Sequence, residues 1–220
     1  DADYLHVTSN NTIYGTQMKS YPKTAVPMVC DMSSDIFSKP VDGNQFGLIY
    51  AGAQKNMGPA GATMIAVKED LLGKTGRKML SMLDYQVHIK GGSMYNTPPV
   101  FSIYVSMLTL RWIKENGGLP WIEKNNNSKA EMLYNEIDRN SIFTGTVIDK
   151  EDRSFMNACF VSTKPELEPE FDKMWKDAGI SGIRGHRDVG GYRASMYNAL
   201  QLESVKALVE VMQEFEKKFA

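Results

Sequence analysis

The chain has 220 residues, 42% of them hydrophobic, a formal net charge of −1 and a pI near 6.4. That is enough apolar material for the cores of one or two domains. The near-neutral balance gives no reason to expect nucleic acid or an anionic membrane surface as a partner, so any anion must be held by a few placed cations.

Cys30 and Cys159 each sit inside an apolar run and read as reduced core thiols of a cytosolic protein. No apolar stretch approaches the ~20 residues that cross a bilayer. No basic-then-apolar leader opens the sequence either, so a cytoplasmic protein is expected. Asp1 is not Met, and Asp-Ala-Asp-Tyr-Leu-His-Val reads as the lip of a strand already under way. A substantial N-terminal portion is therefore expected to be absent from this chain.

In chain order, Tyr4–Val7, Met28–Cys30, Gly47–Ala51 and Thr63–Val67 are short apolar runs bounded by Gly, Pro, Asn and Ser. They suit strands buried on both faces, as in an α/β sheet. Lys68–Gly73 gives a short helical turn closed by glycine. After Pro98-Pro99, the spacing of Phe101, Tyr104, Val105, Leu108 and Trp112 predicts a helix that Gly117-Gly118 stops. A second helix is expected from about Trp121 to Ile137, with Ala130, Leu133 and Tyr134 on one side, and the polar tract Glu115–Pro120 is the candidate domain junction. Phe155–Val161 reads as a strand, Glu168–Ala178 as a helix, and Ile180–Ile183 and Ala194–Asn198 as two further strands. A final helix carries Leu202, Val205, Leu208, Val209, Met212, Phe215 and Phe219 on its buried stripe. Residues 1–120 thus read as an α/β domain and 121–220 as a compact α+β domain.

The chemistry gathers around Gly52-Ala53-Gln54-Lys55-Asn56-Met57-Gly58-Pro59-Ala60-Gly61. A lone lysine directly after a buried strand is costly unless it reaches water or forms a Schiff base. Gly52, Gly58 and Gly61 would let the backbone approach a bulky ligand. Asp31 follows the apolar run Val26–Cys30, at the carboxyl end of a strand, where α/β sheets gather ligands. By itself it could equally cap a turn. Together, a strand-end carboxylate and a strand-end amine can serve the two ends of a pyridine cofactor, the acid keeping the ring nitrogen protonated.

Four blocks then occur in order: Cys30-Asp31-Met32-Ser33-Ser34-Asp35, Tyr50 to Gly61, Gly92-Ser93-Met94-Tyr95-Asn96-Thr97-Pro98-Pro99 and Gly185-His186-Arg187-Asp188-Val189-Gly190-Gly191-Tyr192-Arg193-Ala194-Ser195-Met196-Tyr197-Asn198. With them the chain resembles the phosphoserine aminotransferases, pyridoxal 5'-phosphate (PLP) enzymes of fold type I. The resemblance implies part of the large PLP-binding domain followed by the small C-terminal α+β domain. Lys55 would be the cofactor lysine and the proton-transfer base, and Asp31 the partner of the pyridinium. Thr12 and Gln54 would contact the cofactor, and Asn96 and Thr97 would reach the PLP phosphate of a neighbouring subunit, making the active site a property of a homodimer. Arg193 would hold the substrate α-carboxylate, with His186 and Arg187 facing the distal anion. No metal is called for, and His6 and His88 fall on no functional position of the family.

The implied reaction exchanges the amino group between L-glutamate and 3-phosphohydroxypyruvate, giving O-phospho-L-serine and 2-oxoglutarate in serine biosynthesis. The family also admits a related phosphorylated substrate of pyridoxine biosynthesis. The rival readings are another fold-type I enzyme, of the alanine–glyoxylate or cysteine-desulfurising kind, and an inactive fragment that folds only within a larger assembly. An upstream aromatic, a glycine-rich phosphate turn and a substrate arginine of the family have no counterpart here.

Overall fold

A computed structural model of the chain describes residues 2–220; Asp1, on which the reading of the chain's opening rests, lies outside them. The first half contains β1 (Leu5–Thr8), β2 (Asn10–Asn11), β3 (Thr16–Gln17), β4 (Met28–Asp31), β5 (Leu48–Gly52) and β6 (Thr63–Val67). There follow α1 (Tyr85–Lys90), α2 (Val100–Glu115), α3 (Gly118–Arg139), β7 (Phe143–Gly145), β8 (Asn157–Ser162), α4 (Glu168–Asp177), β9 (Tyr192–Ser195) and α5 (Leu202–Phe219).

The first sheet has the order β1-β4-β5-β6, with β1, β4 and β5 parallel and β6 antiparallel at the edge. Burial on both faces is confined to its centre, where Cys30 and Ala51 are fully enclosed. β1 alternates between half-buried and exposed residues and β6 is mostly exposed, so the expected two-sided burial fails at both edges. Met28, Met32, Ile36, Phe46 and Met57 pack around the central strands as one core.

α2 and α3 are joined by a turn in which Gly117 takes a φ of +116°. Trp112 and Trp121 meet edge to face across it, with ring centroids 5.2 Å apart. The tract expected as a junction is therefore a tight corner, and α3 starts inside it at Gly118 because Pro120 is tolerated in a first helical turn. The apolar period of α2 marks a helix, but its Phe101 and Tyr104 are exposed, while Ser102 and Ile113 are buried.

The second sheet is antiparallel, in the order β7-β8-β9, with α3, α4 and α5 packed about it. Its core is aromatic: Phe143 lies 4.6 Å from Phe171 and edge-on to Phe160 at 5.6 Å, and Phe171 also meets Phe215 at 5.1 Å. Ile180–Ile183 is not a strand, because Gly179 and Gly182 turn the backbone through positive φ and only Arg184 makes a single bridge, to Tyr192. The strand read at Ala194–Asn198 lies earlier, at Tyr192–Ser195. Beyond it the chain turns so that the carbonyls of Met196, Tyr197 and Leu200 all accept from Lys129 Nζ, at 3.1, 2.9 and 3.2 Å. Short β7 and α1 escaped the sequence reading; α1 is capped by the Asp84 carboxylate, which accepts from the Gln86 N–H.

Lys129 is fully buried, and burial pushes its ammonium down from 10.5 to about 8. Between those values the unfolded chain binds more protons than the fold, so stability rises with pH. Between pH 7 and 9.5 this should add about 2 kcal/mol, read by urea unfolding, and Lys129→Met should remove that rise.

Candidate active site

The carboxyl ends of the three parallel strands open on one recess. Register decides this: Thr8 lies beside Asp31, and Asp31 beside Tyr50, so residues following β1, β4 and β5 emerge together. The recess encloses about 180 Å³ and is lined by Thr8, Asn10, Asn11, Thr12, Ile13, Asp31, Ser33, Ser34 and Lys55. Thr12, Asp31 and Lys55 are thus brought to one place by three separate stretches of chain. Asp31 Oδ1 accepts the Ser33 N–H at 2.8 Å, which fixes the carboxylate at the strand end. Asn10, Ser33 and Ser34 escape the sequence reading, since small polar residues beside a strand end look like those of any turn.

Arg193, on β9, does not line this recess but stands beside it, donating Nη1 to the carbonyl of the lining residue Thr12 at 2.8 Å. Its Nε is buried without a protein partner. A buried, unpaired guanidinium N–H costs free energy, so Arg193 is not fully satisfied by the described residues.

The remaining predicted residues lie outside the recess lining. Gln54 is exposed and folds back over Gly52, where its Oε1 would stand 2.5 Å from an added Cβ. Asn96 and Thr97 are exposed before α2, with the Asn96 amide donating to the Thr97 carbonyl at 3.1 Å. His186 and Arg187 lie in the loop before β9, where Asp188 faces both, at 3.3 Å from His186 Nδ1 and 3.8 Å from Arg187 Nε. Gly58 and Gly61 serve helix packing rather than ligand approach: a Cβ there would stand 2.7 Å from Ser106 Oγ and 2.8 Å from Ser102 Oγ, both on α2.

An amine and a carboxylate in one recess, with an arginine short of a partner beside it, fit a carbonyl cofactor and a carboxylate substrate. The pattern of the aminotransferase class-V family matches residues 1–208. The chain belongs to that family. It is 65% identical over 218 residues to the phosphoserine aminotransferase of Flavobacterium psychrophilum, a match covering 99% of this chain and 61% of that protein. The solved phosphoserine aminotransferase of Bacillus circulans subsp. alkalophilus superposes with a TM-score of 0.94 at 48% identity, over 99% of this chain and 60% of that one. The PLP-bound phosphoserine aminotransferase of Trichomonas vaginalis gives 0.90 at 34%, over 96% and 60%. This class-V chain therefore has the α/β fold of those enzymes and spans about 60% of their length.

Both thiols of this class-V chain are free and buried. Burial pushes Cys30 up to about 12 and Cys159 up to about 11, so neither supplies a thiolate near neutral pH. The loop before β9 has a steric constraint instead. Gly185 donates its N–H to the Gly191 carbonyl at 2.8 Å, and a Cβ on Gly185 would fall 1.9 Å from the Gly190 carbonyl oxygen. Gly185→Ala should therefore open the loop while both sheets persist. The expected readout is faster tryptic cleavage after Arg187 with unchanged far-ultraviolet circular dichroism.

Proposed function

We propose that this chain is the lysine-bearing part of a PLP-dependent phosphoserine aminotransferase. It would exchange the amino group between L-glutamate and 3-phosphohydroxypyruvate, giving O-phospho-L-serine and 2-oxoglutarate in serine biosynthesis. The observation that carries the reading is the meeting of Lys55, Asp31 and Thr12 in one recess, with the unpaired Arg193 Nε beside it. The names of the similar proteins support it.

PLP, when bound, supplies an electron sink for the bonds at the substrate Cα. Lys55 Nζ holds the cofactor and moves the Cα proton, and Asp31 holds a proton on the pyridine nitrogen. Thr12 and Gln54 contact the cofactor. Arg193 orients the α-carboxylate through two guanidinium N–H groups, and His186 and Arg187 meet the distal phosphate or carboxylate. Asn96 and Thr97 lie on an exposed segment beside the exposed Val100, Phe101 and Tyr104. That apolar surround supports a homodimer in which they complete the neighbouring subunit's site. The protein is read as cytoplasmic. The two separate apolar cores support a division near residue 120 into a PLP-binding domain and a small domain.

In the full-length protein, Lys55→Ala should abolish the visible cofactor band and lower transamination by at least about 10³-fold. Turnover persisting in Lys55→Ala would end the reading. Arg193→Lys should raise KM for both L-glutamate and 3-phosphohydroxypyruvate by about tenfold through loss of the two-point contact, measured by steady-state kinetics. A preference for glyoxylate or pyruvate over 3-phosphohydroxypyruvate would transfer the assignment to another class-V transaminase.

A further inference from the structure

Asp35 is a buried carboxyl that the proposed reaction does not use. It lies in the turn after β4, four residues beyond Asp31. Its neighbours fix the direction of every hydrogen bond it makes but one. Gln17, on β3, takes two donors on its Oε1, Lys19 Nζ and the Phe155 N–H, each at 3.0 Å. The amide is thereby oriented with Nε2 toward Asp35 Oδ2, to which it donates at 3.1 Å. Asp35 Oδ1 meets Ser9 Oγ, and Ser9 Oγ also lies 3.0 Å from the Asp31 carbonyl oxygen.

A hydroxyl has one proton to give. The Asp31 carbonyl can only accept, so the Ser9 proton serves that bond. The proton between Ser9 and Asp35 must then come from Asp35. Burial acts in the same direction: it is the largest influence on this carboxyl and pushes it above the usual carboxylate range, against the hydrogen bonds from Ser9 and Gln17 and the charges of Lys39 and Lys19. Among the described residues neither lysine forms an ion pair with Asp35. Lys19 Nζ is instead turned to Gln17 and, at 2.7 Å, to the Arg153 carbonyl. The other titratable groups facing Asp35 are Tyr21, ahead of β4, and Cys30, on β4.

We propose that Asp35 is held as a neutral acid and, through Ser9, is a positioning residue for Asp31: the Asp35 carboxyl donates to the Ser9 hydroxyl, which donates to the Asp31 carbonyl. The proposal rests on the reading of Asp31 as the cofactor's ring partner. The Ser9 N–H reaches the same carbonyl at 3.0 Å, and the Ser33 N–H takes the Asp31 carboxylate at 2.8 Å. The last residue of β4 is thus gripped by two donors on its backbone and one on its side chain. An ionised Asp35 would draw the Ser9 proton to itself and leave the Asp31 carbonyl with the N–H alone.

Two measurements on the full-length protein test it. The first needs no cofactor: at neutral pH the infrared spectrum of the wild type should carry a protonated-carboxyl stretch that Asp35→Asn lacks. Absence of that band overturns the proposal. The second uses PLP. The Asp35→Asn side chain keeps the neutral acid's pattern, accepting from Gln17 and donating to Ser9, so PLP affinity and the pH midpoint of the visible band should match the wild type. Ser9→Ala and Asp35→Ala should each weaken PLP binding by about fivefold, the worth of one neutral hydrogen bond, and shift that midpoint. Asp35→Asn impaired as much as Asp35→Ala, or Ser9→Ala with affinity and midpoint unchanged, overturns the proposal. If the alanine variants do not fold, the infrared band and Asp35→Asn decide. A wild type that binds no PLP overturns the cofactor reading and the positioning role with it, whereas a missing acid band in a protein that binds PLP sinks only the role of Asp35.

Discussion

The side-chain amide of Asn10 is the joint on which the recess depends. It is buried, and both its ends are used. Its Nδ2 donates to Ser34 Oγ and Asn157 Oδ1, each at 2.9 Å, and its Oδ1 accepts from Ser154 Oγ at 2.5 Å. Ser34 follows β4, while Ser154 precedes β8 and Asn157 is its first residue. Losing any partner would leave a buried polar group unpaired, at about 1–3 kcal/mol each. The pairing of β1 with β4 and the seating of β8 against the loop after β1 are therefore one structural decision. Arg193 inherits its place from that decision: it lies opposite Cys159 in the β8–β9 register and so arrives at the Thr12 carbonyl.

A second polar frame stands behind Lys55. The adjacent Asn56 accepts the Asn198 N–H at 3.1 Å and donates to the Ile36 carbonyl at 3.1 Å. Asn198 in turn accepts from Asn126 of α3 at 2.9 Å, and one helical turn further on Lys129 gathers the carbonyls that follow β9. These groups lie in an interior that apolar side chains could have filled with less desolvation cost. What they supply is a single registry among the lysine loop, α3 and the end of β9, because amides and carbonyls satisfied in only one arrangement penalise every other.

Legibility in the sequence followed the physics of each element. Met28–Cys30 and Leu202–Phe219 are readable because continuous or periodic apolar residues have one cheap way to be buried, whereas Thr63–Val67 forms its strand without that burial. Lys55 and Asp31 were readable because a charge at a strand's end needs a reason. Asn10 and Ser34 were not, since small polar residues after a strand look like any turn until a distant partner arrives. The periodicity of α2 announced a helix but could not say which side meets a core; the burial of Ser102 and exposure of Phe101 are tertiary facts. Asn126 and Lys129 did leave a signal, sitting at helical spacing with Ile122, Ala130 and Leu133, all buried. A polar residue on an apolar stripe indicates a buried partner even when its identity is hidden.

The loop before β9 shows how a fixed fold can leave some cations committed and others free. Arg184 is bound at 2.6 Å to Glu168 and 2.7 Å to Asp172, and its guanidinium lies over the Tyr192 ring. Three residues on, Arg187 is 90% exposed and its nearest carboxylate oxygen, on Asp188, is 3.8 Å away. Pairs this open contribute about 1 kcal/mol or less, so separating Arg187 from Asp188 costs little. Displacing Glu168 and Asp172 from Arg184 would instead break a two-carboxylate network braced on a core aromatic. The same stretch of sequence therefore contains one arginine that braces the second core and one that is committed to little, and the number of carboxylates each faces tells them apart.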